Sequence, residues 1–498
     1  LNASLMNDKN STITTADMKK VNVGILANDH SERARDNSYI ENYANITIGQ
    51  DADSKNNVGS WAIYGYNIKT GAKLDGTEVV YKINRNSNGI YSGDGNVDIQ
   101  RGTVLKVGND TVLGHKQVQN AVDSAGNLYT ISNRQTAYAN PDDLLSGLDN
   151  PRERDSAVGV YINNNRGLSD EARTVNVAAD MDIDRFSHGI VLAEKTGGAV
   201  TTVNLGTSAA DAPKIKLAYS TANNAGGHVK SVTPHTPEIW DKEPEEQGNS
   251  VYYYSADTNS KAKSYANVTM DGDYNTAYFT KGSVTNYGNI DLRSQYDLDL
   301  RNNDPDHVNV GYGNVGIISE NTTDPSINKG KIITGLSDTQ NMMYSVGMGA
   351  GRNFYRIDPS TREKVYDRTE GQGYVINNGE IVVQEENGIG MLATGRGSKA
   401  INNGTIRLVG KNGVGMYIDR EAIGENHGTI TGDAENLKGV VAINGGYIKN
   451  YGTIKVEGTG SYGIVTDSSK FTLDANGNPI AYHTDTSSTE YRNGTTAG

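Results

Sequence analysis

The chain has 498 residues, 35% of them hydrophobic and 21% charged, with 58 Gly, 10 Pro and a formal charge of −13. A chain this polar cannot fill one large spherical core, but it can fill a thin continuous one, in which each repeat buries its apolar face against the next. Cysteine is absent, which excludes disulfides, thiolate-bound zinc and a cysteine nucleophile; the basic residues are too scattered to grip nucleic acid, and no apolar run has the length of a membrane span.

The lack of cysteine also suits a protein that crosses a membrane unfolded. No signal peptide is visible. The chain starts at Leu1 and ends on Thr495-Thr496-Ala497-Gly498, and it reads as a piece cut from a longer precursor.

In chain order, short apolar runs centred on a glycine come first. They are Val23-Gly24-Ile25-Leu26, Val158-Gly159-Val160-Tyr161 and His188-Gly189-Ile190-Val191-Leu192. Between the last two lies Asp180-Met181-Asp182-Ile183-Asp184, whose alternation puts the carboxylates on one strand face. Such carboxylates repel unless a cation sits among them, so calcium at Asp180, Asp182 and Asp184 is one expectation. The simpler one is a solvated outer face over inward Met181 and Ile183.

Residues 228–255 stand out next. They hold His235, Trp240 (one of two tryptophans) and Tyr252-Tyr253-Tyr254, with three of the ten prolines. Proline lowers the entropy lost on binding, and Trp and Tyr dominate binding hot spots. A ligand-binding loop through these five aromatic and imidazole residues is weighed against a loop that packs Trp240 back onto the scaffold.

The repeat emerges further on. Asn286-Tyr287-Gly288-Asn289-Ile290 and Asn328-Lys329-Gly330-Lys331-Ile332 introduce it. It becomes regular at Asn377-Asn378-Gly379-Glu380-Ile381, Asn402-Asn403-Gly404-Thr405-Ile406, Asn426-His427-Gly428-Thr429-Ile430 and Asn450-Tyr451-Gly452-Thr453-Ile454. These glycines are spaced by 25, 24 and 24 residues, and the 49 residues from Gly330 to Gly379 read as close to two units. A second element, such as Gly415-Met416-Tyr417, begins 11 residues after each of the four regular glycines.

Asn-x-Gly is a turn signal, expected to exploit positive φ. After it, Ile406 and Leu408 alternate with Thr405 and Arg407, the period of a half-buried strand. Each unit thus predicts two strands in one coil of about 24 residues. Stacked about 4.8 Å apart, the coils would align Asn377, Asn402, Asn426 and Asn450 in an amide ladder. The expected fold is an all-β parallel β-helix running through 1–498, most regular over 373–470. Excursions are expected near 109–155, 207–265, 293–312 and 335–372, with a helical turn at Leu144, Leu145 and Leu148.

The Asn-Asn-Gly-Thr-Ile unit followed by Gly-x-Gly-Met-Tyr resembles the passenger repeats of type V autotransporters. It is most similar to the very large fusobacterial outer-membrane adhesins, the RadD-like group, well over 280–470 and loosely before. The resemblance implies a right-handed β-helix at the cell surface, on the outer membrane, normally followed by a C-terminal β-barrel that is not in this chain. It also implies partners such as host-cell glycans or receptors, or surface proteins of other bacteria, and membrane contact only through that barrel.

Catalysis is not expected. A glycoside hydrolase needs two carboxylates across a cleft, and a serine protease needs Ser, His and Asp in concert; neither pattern is found. His427 sits at the variable middle of the turn and reads as a surface residue. Asp474-Ala475-Asn476-Gly477-Asn478 starts like a calcium loop but lacks the distal Glu. Triplets such as Asn403-Gly404-Thr405 read as turn-then-strand chemistry rather than glycosylation acceptors. No cofactor is expected. An adhesin segment is the leading reading, with a passive β-helical stalk and a polysaccharide-active enzyme as alternatives.

Overall fold

The computed structural model describes the coils and most of their short turns. Residues 1–3, 8–11, 15–22, 28–38, 50–59, 109–120, 123–127, 130–156, 164–171, 218–249, 299–310, 340–343, 358–363, 368–370, 467–471, 474–478 and 482–498 lie outside the described residues, with a few isolated positions between strands. The fold is a parallel β-helix. Three long parallel sheets take successive strands in turn, so every coil contributes one strand to each. The chain divides into two compact units. One holds Leu1–Asn275 with Ser294–Val310, the other Thr276–Arg293 with Gly311–Gly498.

In the first unit the interior is built by stacking like on like. In the first sheet Ile40, Ile68, Val97, Val175, Val203 and Ala262 sit in register on successive strands. In the second, Ile48, Ile83, Val107, Ile183, Leu217 and Met270 do so. Ile25, Ile63, Ile90, Val160, Ile190 and Tyr253 line the third. All of these are buried. Each full burial of such a side chain is worth about 1.5–3 kcal/mol, and the gain recurs at every coil.

The second unit carries the regular repeat. Ile290, Ile332, Ile381, Ile406, Ile430 and Ile454 form an unbroken isoleucine stack in the second sheet. The expected amide ladder is present and longer than expected. Nδ2 of Asn286 donates to Oδ1 of Asn328 at 3.0 Å, Asn328 to Asn377 at 2.9 Å, and Asn377 to Asn402 at 2.9 Å. Asn402 donates to Asn426 and Asn426 to Asn450, both at 2.8 Å. Asn286 to Asn426 are all 0% exposed, so the ladder satisfies a buried column of amides that would otherwise be costly.

Four expectations need correction. First, each coil has three strands, not two. The extra one, for example Tyr374–Asn377, Lys399–Asn402 or Ile423–Asn426, precedes the Asn-x-Gly turn and ends on its asparagine. Second, Asn328 pairs directly with Asn377, so the 49 residues between the two turns are one coil with an insertion. That insertion includes the antiparallel pair Phe354–Ile357 and Lys364–Asp367.

Third, the turn glycines are not needed for positive φ; none of Gly330, Gly379, Gly404, Gly428 and Gly452 has it. They are needed for space. A Cβ on Gly404 would lie 2.1 Å from the carbonyl oxygen of Gly379. The left-handed backbone sits instead at the next corner, at Asn387, Asn412 and Asn436, with φ of 57–59°.

Fourth, the insertions are narrower than 207–265 and 335–372 suggest. Lys214–Leu217, Val251–Asp257, Ser260–Ser264 and Val346–Ala350 are strands of the coils. The Leu144–Leu148 segment and residues 474–478 lie outside the described residues.

Ile406 is 0% exposed, whereas Arg407 points outward, 3.6 Å from Glu380. Ile406→Asp should therefore lower stability by about 3 kcal/mol or more, and Arg407→Ala by no more than about 0.5 kcal/mol. Urea titration followed by circular dichroism checks both. In the same assay Asn402→Ala, which strands two buried amide partners, should cost about 2–4 kcal/mol, against less than about 1 kcal/mol for Asn450→Ala at the exposed ladder end.

Candidate binding face

The three sheets differ on their outer faces. Strands of the first sheet carry Glu41, Lys69 and Asp98 in the first unit, and Lys399, Glu425 and Lys449 in the second. The second sheet carries Lys82, Lys106, Asp182 and Lys216, then Lys331, Glu380, Arg407 and Lys455. These charges pair across coils, as in Lys69–Glu41 at 3.4 Å and Lys399–Glu425 at 3.1 Å.

The third sheet is different. Its strands Val23–Leu26, Ser60–Gly65, Ser87–Gly93 and Val158–Asn163 contain no Asp, Glu, Lys, Arg or His. Most third-sheet strands carry glycine at the second position, where a Cβ would strike the next coil's backbone; at Gly159 it would lie 2.6 Å from the oxygen of Gly189. Strand pairing skips that glycine: Val158 pairs with His188, and Val160 with Ile190. The skip turns residues three apart, such as Trp61 and Tyr64, onto one outer face, with ring centroids 6.2 Å apart.

In the first unit this makes an aromatic ladder. Tyr64, Tyr91 and Tyr161 are in register on successive strands. Tyr64 and Tyr91 stack at 4.1 Å and 3°, Tyr91 and Tyr161 at 5.8 Å and 9°. Trp61 crosses them steeply, 5.2 Å from Tyr91 at 73° and 6.0 Å from Tyr161 at 65°. Each such pair adds about 0.5–1.5 kcal/mol beyond burial. Asn163 Nδ2 donates to the Tyr91 hydroxyl at 2.6 Å, and burial raises the Tyr161 phenol above its ordinary range.

The row continues through Val191 to Tyr254. Beside it His188 stands edge-on to Tyr254 at 6.5 Å. Desolvation pushes its imidazole down to about 4. In the second unit the equivalent face is aliphatic. Val346, Ile389, Val414 and Val441 cluster there, with Leu392, Tyr417 and Val465 against them.

The two longest insertions of the first unit leave from one corner, between second-sheet and third-sheet strands. Thr103–Val107 is followed by Val158–Asn163, and Lys214–Leu217 by Val251–Asp257. In the second unit the long insertion leaves another corner, between the third-sheet strand Val346–Ala350 and the first-sheet strand Tyr374–Asn377.

The residues singled out from sequence fall in several places. His235 and Trp240 lie outside the described residues. Tyr252 and Tyr253 are not on a loop. They are strand residues, each 0% exposed, and the Tyr253 phenol is pushed up to about 12 by burial. The tyrosine run was misread as a loop because three consecutive aromatics hide the two-residue period. Tyr254 alone of the three faces outward, at the foot of the aromatic row.

Asp180, Asp182 and Asp184 are not gathered for calcium. Asp180 accepts from Arg101 Nη1 at 2.6 Å and the Lys214 backbone N–H at 2.8 Å. Asp182 is flanked in register by Lys106 and Lys216, and Asp184 is buried at 3% beyond the strand. Met181 and Ile183 point inward as expected. Among the described residues no group of three or more acidic or imidazole side chains could hold a metal. His427 is an exposed turn residue, stacked on Tyr451 at 4.9 Å. Sequence reasoning missed Trp61; the available signal was the tyrosine that recurs two residues after the small residue of third-sheet strands, at Tyr64, Tyr91 and Tyr161, with Trp61 immediately before the small residue of its own strand.

Residues 299–429 match the family model described as BigA third pectate lyase-like domain. The match supports a β-helix passenger region. No curated protein and no solved structure matches the chain. No helix among the described residues is long and apolar enough to cross a membrane.

His188 gives a pH prediction. Its folded value lies below the unfolded value of about 6.5, so the stability it contributes is full above pH 6.5 and is lost as pH falls toward 4. The loss over that window should be on the order of 2–3 kcal/mol. Urea midpoints at pH 7 and pH 4.5, for the parent and His188→Phe, check it. The variant should show a clearly smaller drop.

Proposed function

We propose that this chain is an adhesin passenger segment displayed at the cell surface, and that it holds its ligand on the outer face of the third sheet. The observation that carries this reading is the uncharged, aromatic outer face formed by four consecutive third-sheet strands of the first unit, beside two charged sheets. A contiguous apolar patch of this kind marks an interaction surface. The pectate lyase-like match over 299–429 and the resemblance to the fusobacterial, RadD-like autotransporters support the same reading, including an outer-membrane origin. We read the chain as non-enzymatic, since Asp180 and Asp182 are matched by cations rather than opposed across a cleft. A shaft role is favoured for Tyr374–Thr466 alone, where coils follow one another with short turns.

The test is binding of the 498-residue chain to epithelial cells and to other bacterial species. The double variant Tyr161→Ala with Tyr254→Ala should bind at least about ten-fold more weakly, a change of 1.4 kcal/mol. Lys69→Ala on the first sheet should bind as the parent does. Equal loss in both variants, or no binding by the parent, would overturn the proposal.

A further inference from the structure

The geometry points to an uncharged-saccharide subsite centred on Trp61, on the aromatic end of the third sheet in the first unit. This rests on the reading of that sheet's outer face as a binding surface, and it names the ligand class.

The first argument is electrostatic. Four consecutive third-sheet strands, Val23–Leu26, Ser60–Gly65, Ser87–Gly93 and Val158–Asn163, hold no ionisable acid or base except tyrosine. Further along, His188 stays neutral until about pH 4, exposed Glu194 lies toward the far end of its strand, and Lys195 is buried, its ammonium donating to the Ala199 carbonyl oxygen. A sialylated or sulfated ligand pressed against this face would lose hydration with no cation to replace it. A neutral ligand incurs no such penalty.

The second argument is shape. Tyr64, Tyr91 and Tyr161 stack face to face, so those faces are closed to a ligand. Trp61 meets all three at 65–76°, and its ring plane is not consumed by stacking. It is half-buried and held from three sides, so little entropy is lost when a ligand lies against it. The face belongs to a sheet already paired on both sides of Ser60–Gly65, which excludes a peptide added as a further strand. Flat ring surface bordered by amide and phenol groups, here Asn88, Asn163 and Tyr91, suits a ligand with an apolar C–H face and a hydroxyl rim.

The experiment uses the full chain on an array of uncharged hexose and N-acetylhexosamine oligosaccharides, with sialylated and sulfated counterparts beside them. Uncharged glycans should be retained. Trp61→Ala should lose at least ten-fold in affinity, Trp61→Phe should recover most of it, and both should keep the parent's far-ultraviolet circular dichroism. In a Trp240→Phe background, where Trp61 is the sole indole, a retained glycan should shift the fluorescence. Retention of charged glycans alone, binding indifferent to Trp61→Ala, or no shift would overturn the subsite. If no glycan binds but cells still do, the subsite falls and the adhesin reading stands; if neither binds, both fall.

Discussion

Everything in this molecule depends on register between coils. A strand slipped by one residue would turn its apolar set outward, and here one slip would propagate through a stack. The Asn286-to-Asn450 column fixes the register in the second unit, because an amide donates to and accepts from its neighbours only when each coil is seated directly on the last. The turn glycines enforce the same seating sterically. With a Cβ at Gly404 the turns could not approach. A directional bond and a steric limit therefore select one alignment, and the buried apolar stacks, the isoleucine column among them, stabilise it once it is reached.

In the first unit the same corner is held differently. Asn42 Nδ2 donates to the Tyr81 hydroxyl at 2.6 Å, and that hydroxyl donates to Thr70 at 3.1 Å. A fully buried tyrosine thus spans what asparagines span elsewhere, and its phenol is raised to about 12. The solution is local, whereas the asparagine ladder is periodic and extends through six coils.

That contrast explains what could be read from sequence. The Asn-x-Gly-x-Ile signal was legible because three separate constraints, amide ladder, close turn and isoleucine stack, act on adjacent letters at a constant period. The strand before it was not, because Val375, Ala400 and Gly424 satisfy its register with three different side chains. The aromatic face was obscured for another reason. Tyr64, Tyr91 and Tyr161 are consecutive in space, but the segment between Val107 and Val158 separates the last from its partners in the chain. The tyrosine run at 252–254 was conspicuous in sequence, yet two of its three rings are core.

In the first unit, the placement of the two longest insertions at a single corner has an evolutionary consequence. Strand lengths and turn glycines are fixed by the neighbours above and below, so they tolerate little change. The segment that joins a second-sheet strand to a third-sheet strand is bound by neither, and it borders the uncharged face. Such a molecule can exchange whole cassettes at that corner while its periodic frame stays constant, and so diversify what it presents without having to solve the folding problem again.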